Sequence, residues 1–190
     1  MSASGVIKPY RVPPCMRDLV MIDLLEITGS TTATAQMLAL SQPTVSRRYR
    51  SLVRDLGLQR QRNGPVGQRF ANAPWIPPIR RGVNHHRLSA GWLRLGSRHS
   101  LHAQWAELPW AQWVHLGREQ QLHWRSLLQL ELIDGIAFEQ EPGLSEDAKQ
   151  ALTVIPIAAS SRSGFHLVCR RDPLVLAIAQ RDPSSSGESS

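Results

Sequence analysis

Between Ser41 and Leu58 the residue pattern allows little besides one short amphipathic helix. From Val45 the apolar residues run Val45, Tyr49, Leu52, Leu56. Steps of four, three and four bring all four side chains to one side of a 3.6-residue helix. The opposite side carries Pro43, Arg47, Arg50 and Arg54, flanked by Thr44 and Ser46. Ser41 precedes the run, where its hydroxyl can accept from backbone N–H groups of the first turn that have no helical partner. Pro43 falls in that same turn, where its missing N–H removes no helical bond. One side therefore packs, and the other is cationic with small hydroxyls. Such a face suits a major groove: arginine forks onto guanine O6 and N7, and Gln42 can pair with adenine at the leading end. A solvated surface helix has the same charge pattern, so charge alone leaves both readings open.

The residues before it narrow the choice. Residues 32–38 read as a shorter helix that turns Ala35 and Leu38 inward, with Ser30 or Thr31 as its cap. A small side chain at Ala35 lets two helices cross closely, and Leu40 in the turn faces back to the core. Residues 17–27 read as a first helix, with Leu19, Ile22 and Leu25 on its inner face and Gly29 as its left-handed stop. Three helices around Val45, Tyr49 and Leu52 make a helix-turn-helix.

The series Gly29-Ser30-x-Thr32-Ala33-x-Ala35-x-x-Leu38-x-Leu40-Ser41-Gln42-Pro43-Thr44-Val45-Ser46-Arg47 resembles the winged helix-turn-helix of LysR-type transcriptional regulators, without a gap over residues 16–58. The resemblance implies that Gln42, Pro43, Thr44, Ser46 and Arg47 occupy base- and backbone-contacting positions of a recognition helix. It places Thr32 against a phosphate at the start of the preceding helix. Arg50, from the same cationic side, is added to this set. Double-stranded DNA is the partner so implied, and a homodimer is the form in which such regulators present two readers to one site.

Downstream, the reading divides. Asn63-Gly64 between polar flanks is a hairpin signal, so residues 59–70 form either a small β-wing or an irregular basic loop. In the wing, Arg60, Arg62 and Arg69 are expected to be available to phosphates. Members of the family carry a long dimerising helix after the wing. Here Pro74, Pro77, Pro78 and Gly82 are expected to exclude a continuous helix, leaving a Pro-rich linker over 71–91 with one short helix from about Asn84 to Ala90.

Residues 92–181 read as a small α/β unit. Strands are expected near 92–95, 113–116, 130–138, 152–158 and 165–169, and helices over 99–110 and 119–129. Strands alternating with helices imply a partly parallel sheet. The order is similar, loosely, to the first periplasmic-binding-protein-like lobe of the family's effector domain, with Asp134 inside the third strand. That resemblance puts Ser97 and Ser100 near the place where the family meets its ligand's anion. A full two-lobed domain needs about twice this length, so an incomplete lobe is expected and a small-molecule effector is not. The fold class expected is thus α+β: a three-helix winged helix-turn-helix over 15–70, the linker, then the small α/β domain, with a flexible arm over 1–14 and a disordered tail over 182–190.

Charge and composition agree. The net charge is +7, nearly all of the basic excess being arginine, which favours an anionic partner. Cys15 and Cys169 lie far apart and form no ligand pattern, so reduced thiols in a cytoplasmic protein are expected, with no metal and no cofactor. His85-His86 and the His99/His102 pair likewise read as solvated rather than ligating. Tryptophans at 75, 92, 105, 110, 113 and 124 form either a core with its rim or an open apolar face. No apolar run reaches the ~20 residues of a membrane span. No phosphate loop or nucleophile elbow is present, so no catalytic residues are expected. Two functions remain: a sequence-specific DNA-binding regulator, or a decoy protein that pairs with a full-length regulator, the latter favoured by the interrupted linker helix.

Overall fold

The computed structural model describes residues 10–61, 63–70, 73–97, 108–157 and 165–181. The expected arm, apart from its last few residues, and the tail lie outside them, as do Arg62, Ser100, His99, His102 and most of the helix expected over 99–110. The chain divides into two compact units, and the division falls inside one helix, at His86/Arg87.

The first unit comprises residues 12–86 and 116–132. Its helices are α1 (Arg17–Thr28), α2 (Thr31–Met37), α3 (Gln42–Asp55), α4 (Ile76–Ser89, whose last turn belongs to the other unit), α5 (Arg118–Leu122) and α6 (Trp124–Gln129). α1 ends where Gly29 takes φ +64°, the left-handed stop that a Cβ would disfavour. Met21, Ile22, Leu25, Ala35, Val45, Leu58, Phe70 and Ile76 form the core, with Leu38, Leu40, Tyr49 and Leu52 packed against it. The Tyr49 ring meets Phe70 edge-on, centroids 5.5 Å apart.

Two expectations for this unit are corrected. First, α4 is continuous through Pro77, Pro78 and Gly82. The two prolines are its second and third residues, inside the turn whose N–H groups have no helical acceptor, so they break no bond. Gly82 costs only about 1 kcal/mol. The buried face of α4 in this unit, Ile76, Arg80, Val83 and Asn84, offsets that. Second, residues 116–132 pack here rather than with the sheet. Gly67, at φ +91°, sits so close to Leu130 and Leu132 that an added Cβ would lie 2.6 and 3.0 Å from their methyl groups. Arg80 Nη1 donates to the Leu130 carbonyl (3.1 Å), and Asn84 Nδ2 to that of Glu131 (2.7 Å). Arg80 Nε also pairs with Asp23 at 2.8 Å, both side chains buried.

Among its described residues the second unit comprises 10–11, 87–97, 108–115, 133–157 and 165–181. Its mixed sheet holds β1 (Leu93–Ser97), β2 (Ala111–His115), β3 (Gly135–Phe138), β4 (Leu152–Ile157) and β5 (Phe165–Arg170) in the order β2-β1-β3-β5-β4. β1 runs parallel to β2 and β3, whereas β5 is antiparallel to β3 and β4. The partly parallel sheet is as expected. α7 (Glu146–Ala151) and α8 (Pro173–Ala179) complete the unit, α8 starting at Asp172, whose carboxylate accepts from Leu174 and Val175 N–H. Leu93, Leu95, Trp110, Leu167, Val175 and Ile178 are among the core residues. Trp110 is buried and Trp113, half-buried, meets Phe165 edge-on, which makes these two core and rim rather than an open face.

The strand expected over 130–138 is shorter. Leu130 and Glu131 form the exit of α6, Glu131 at φ +57° and Leu132 N–H bonded back to the Leu127 carbonyl. Asp134 therefore precedes β3 instead of lying within it. Its carboxylate is fully buried and accepts from Arg87 Nη1, Arg94 N–H (2.7 Å) and Arg170 Nη2 (2.9 Å). Burial by itself would raise its pKa. The charges of Arg87 and Arg170 and these hydrogen bonds outweigh burial and hold it at about 2.

Candidate nucleic-acid interface

α3 is built as its residue pattern dictates. Ser41 Oγ accepts from Thr44 N–H at 3.3 Å, and the Ser41 and Thr44 hydroxyls share a bond at 2.7 Å. Val45 is wholly buried, and Tyr49 and Leu52 half-buried, while Gln42, Pro43, Arg47, Arg50 and Arg54 are exposed. Leu56, at 38% exposed, is the one apolar member that the core does not cover. The helix thus lays one side on α1 and α2 and offers the other to solvent.

The cations on that side are not equivalent. Arg54 pairs with its neighbour Asp55 (3.3 Å), and Arg48, off to one side, with Asp18 (3.4 Å). Arg50 Nε donates to the Ser46 carbonyl, one turn back, at 3.2 Å. Among the described residues neither Arg47 nor Arg50 has a carboxylate partner. Both guanidinium groups keep donors for an incoming anion or base edge.

The polar residues at the front of α3 are tied together. Gln42 Nε2 donates to Thr31 Oγ1 of α2 at 3.1 Å and to Ser46 Oγ at 3.0 Å. α2 is capped by Ser30, whose Oγ accepts from Ala33 N–H at 3.2 Å, and Thr32 is exposed on its first turn. Ala39, in the turn between the helices, takes φ +53°. Thr32, Gln42, Pro43, Thr44, Ser46, Arg47 and Arg50 are therefore gathered at the front of one helix pair, with Thr44 and Ser46 only half exposed.

The basic loop departs from expectation. Residues 59–61 and 63–70 contain no strand, so of the two forms expected this is the irregular one. A turn does form: Gly64 N–H reaches the Gln61 carbonyl (3.3 Å), and Gln61 N–H that of Arg69 (2.8 Å). The amides of Arg69 and Phe70 are taken by the buried carboxylate of Glu26 in α1, at 2.9 and 2.6 Å, and cannot build a ladder. Arg69 is not available to phosphate either. Its guanidinium is paired with Glu119 and bonded to the Gly64 carbonyl (2.9 Å). The hydrogen bond from Arg69 holds the Glu119 carboxyl below its usual range. Arg60 lies 5.0 Å from the centroid of the Phe70 ring.

In the sheet unit, Ser97 ends β1 with its side chain buried at 1% exposure and its hydroxyl without a partner among the described residues. No group of three or more metal-ligating side chains occurs among the described residues. No helix among them is long and apolar enough to cross a membrane.

No protein-family model matches this sequence, and no curated protein matches it. Solved structures do. Full-length OxyR C199D from Pseudomonas aeruginosa is 15% identical, covering 77% of this chain and 55% of that one, with a TM-score of 0.37. HinK, a LysR family transcriptional regulator from the same organism, is 18% identical, with coverages of 75% and 51% and a TM-score of 0.31. Full-length CbnR, complexed with its target DNA, is 19% identical, with coverages of 75% and 54% and a TM-score of 0.32. The chain spans about half the length of these regulators. At so low a similarity, a functional reading rests on the residues of α2 and α3 themselves.

Proposed function

We propose that this chain is a sequence-specific DNA-binding transcriptional regulator of the LysR type, which reads a major groove with the exposed side of α3. The observation that carries the proposal is the pair Arg47 and Arg50: exposed, without carboxylate partners among the described residues, and backed by a helix face that is packed. In this mechanism Thr32 and basic side chains of the loop after α3, Arg62 among them, contact phosphates and set the register. Gln42, Thr44, Ser46 and Arg47 meet base edges, and Pro43 packs along the backbone. Arg47 forks onto guanine O6 and N7.

One such module binds weakly, so a homodimer that presents two of them to a symmetric site is part of the proposal. The continuous α4 supports it. It is a helix of 14 residues in the region where the family resemblance expects a longer, dimerising one, and Ile79, Gly82, His85 and Ser89 are among its exposed residues. The same finding removes the feature that favoured a decoy. Such a regulator acts on the nucleoid, in the cytoplasm. It needs no cofactor, and Ser97 and Ser100 are not assigned an effector.

The test is selection of bound duplexes from a randomised pool by the full chain and by its Arg47→Ala variant. The full chain should enrich a motif. The variant should lose discrimination at one guanine, by about 1–3 kcal/mol. An unchanged motif in the variant removes Arg47 as a reader, and failure to retain any duplex refutes the proposal.

A further inference from the structure

We propose that Gln42 reads its base pair through its carbonyl oxygen alone, because Thr31 and Ser46 hold its amide nitrogen, and that Thr31 is thereby a specificity-determining position. The inference rests on the reading of α3 as the base-reading helix, and takes it from which side chain meets the base to which atom does so.

A glutamine amide has two N–H donors and one carbonyl acceptor. Here Nε2 lies 3.1 Å from Thr31 Oγ1 and 3.0 Å from Ser46 Oγ, so both donors are in use before any DNA arrives. The two acceptors come from different helices. Ser46 is one turn further along α3, and Thr31 is the first residue of α2, where the cap at Ser30 fixes the chain. An amide held at two points does not turn freely, and Oε1 is the atom left for a partner.

That changes what Gln42 can distinguish. Bidentate recognition of adenine needs an amide N–H on N7 and the carbonyl on the N6 amine. With both N–H groups held, the N7 contact requires breaking a bond to Thr31 or Ser46. A lone acceptor instead takes one hydrogen bond from an exocyclic amine, at adenine N6 or cytosine N4. It meets only lone pairs at guanine O6 and thymine O4. The pair facing Gln42 is therefore read as amino against keto: A and C accepted alike, G and T refused. Thr31 acts through Gln42 and is a positioning residue. Its hydroxyl is needed for this readout although another side chain makes the base contact.

The test uses the full chain and four duplexes that differ only at the base pair facing Gln42, the position that relaxes in Gln42→Ala. Affinities are measured by fluorescence anisotropy. The natural chain should bind the A and C duplexes within about twofold of each other, and the G and T duplexes about tenfold more weakly. Thr31→Val/Ser46→Ala frees the amide, and A should then exceed C by about tenfold. Thr31→Ser, which keeps a hydroxyl, should keep the A and C tie. Ser46→Ala alone, with α2 untouched, should move the preference part of the way. A tenfold preference for A over C in the natural chain overturns the inference, as does a tie that survives in the double variant. Either of those results leaves α3 a reader. If the natural chain does not discriminate among duplexes at all, the reading of α3 falls and takes this inference with it.

Discussion

Replacing Asp134 by Asn should loosen the sheet unit more than any surface change. The carboxylate is wholly buried, and its oxygens take four donors: Arg87 Nη1 and Arg94 N–H on Oδ2, Arg87 Nη2 and Arg170 Nη2 on Oδ1. Asparagine keeps the shape but offers one acceptor and turns an NH2 toward the remaining donors. It also removes the negative charge between two guanidinium groups, one at 1% and the other at 14% side-chain exposure. Removing one partner of a buried ion pair costs about 3–5 kcal/mol. Amide exchange in peptides covering β1, β3 and β5 should accordingly accelerate by roughly 10²- to 4 × 10³-fold.

A pH series provides an independent check. The folded-state pKa of about 2 lies below the ordinary 3.8, so the ionised group stabilises the fold above the ordinary value. That contribution, roughly 2 kcal/mol, is lost as pH falls through the folded value, between about pH 4 and 2. The stability gap between the natural chain and Asp134→Asn, measured by urea unfolding, should therefore narrow over that range. Less than fivefold acceleration of exchange, together with a gap that does not change with pH, would refute the account of Asp134 as the charge centre of this unit.

Two further substitutions test the helical unit. Tyr49→Asp should unfold it, because a charge would replace a ring packed on Phe70. Tyr49→Phe should be neutral or stabilising by up to about 1 kcal/mol, since the buried Oη has no hydrogen-bond partner among the described residues; thermal unfolding of the two variants compares them, and equal losses would contradict the packing described. Ala39→Gly should stabilise by about 1 kcal/mol by relieving the left-handed backbone between α2 and α3; an unchanged or lower melting temperature would mean that φ +53° carries no strain there.

What could be read in advance follows from how local the deciding interactions are. α3 was legible because its cap, its first-turn proline and its apolar steps all lie within one short stretch, and each points to the same helix. For α4 the difference between a helix and a Pro-rich linker turns on where the first turn begins. Prolines that break a helix in its interior are harmless at Pro77 and Pro78, and only the position of the first turn separates the cases. The hairpin signal at Asn63-Gly64 does produce a turn. The strands that should flank it fail because Glu26, 43 and 44 residues earlier, takes the amides of Arg69 and Phe70.

The buried carboxylates share that origin. Asp23 and Asp134 stand among apolar neighbours in the chain, but nothing near them shows what neutralises them: their partners Arg80 and Arg87 lie 57 and 47 residues away. The run 130–138 is apolar enough for a buried helix end or a strand, and periodicity does not separate the two. On the solvent side of α3, the placement of Gln42, Ser46 and Arg47 away from the packed face was legible from their spacing. The hold of Thr31 on Gln42 was not, because it depends on how α2 and α3 cross.

The most direct measurement of the central claim is the salt dependence of binding to a duplex selected by the full chain. With four or more phosphates contacted, affinity should fall about 100-fold between roughly 50 and 200 mM salt. An Arg47→Ala/Arg50→Ala variant should bind more weakly throughout, with a shallower slope. A flat response to salt, or a variant that binds as the natural chain does, would contradict the claim that the exposed side of α3 engages DNA.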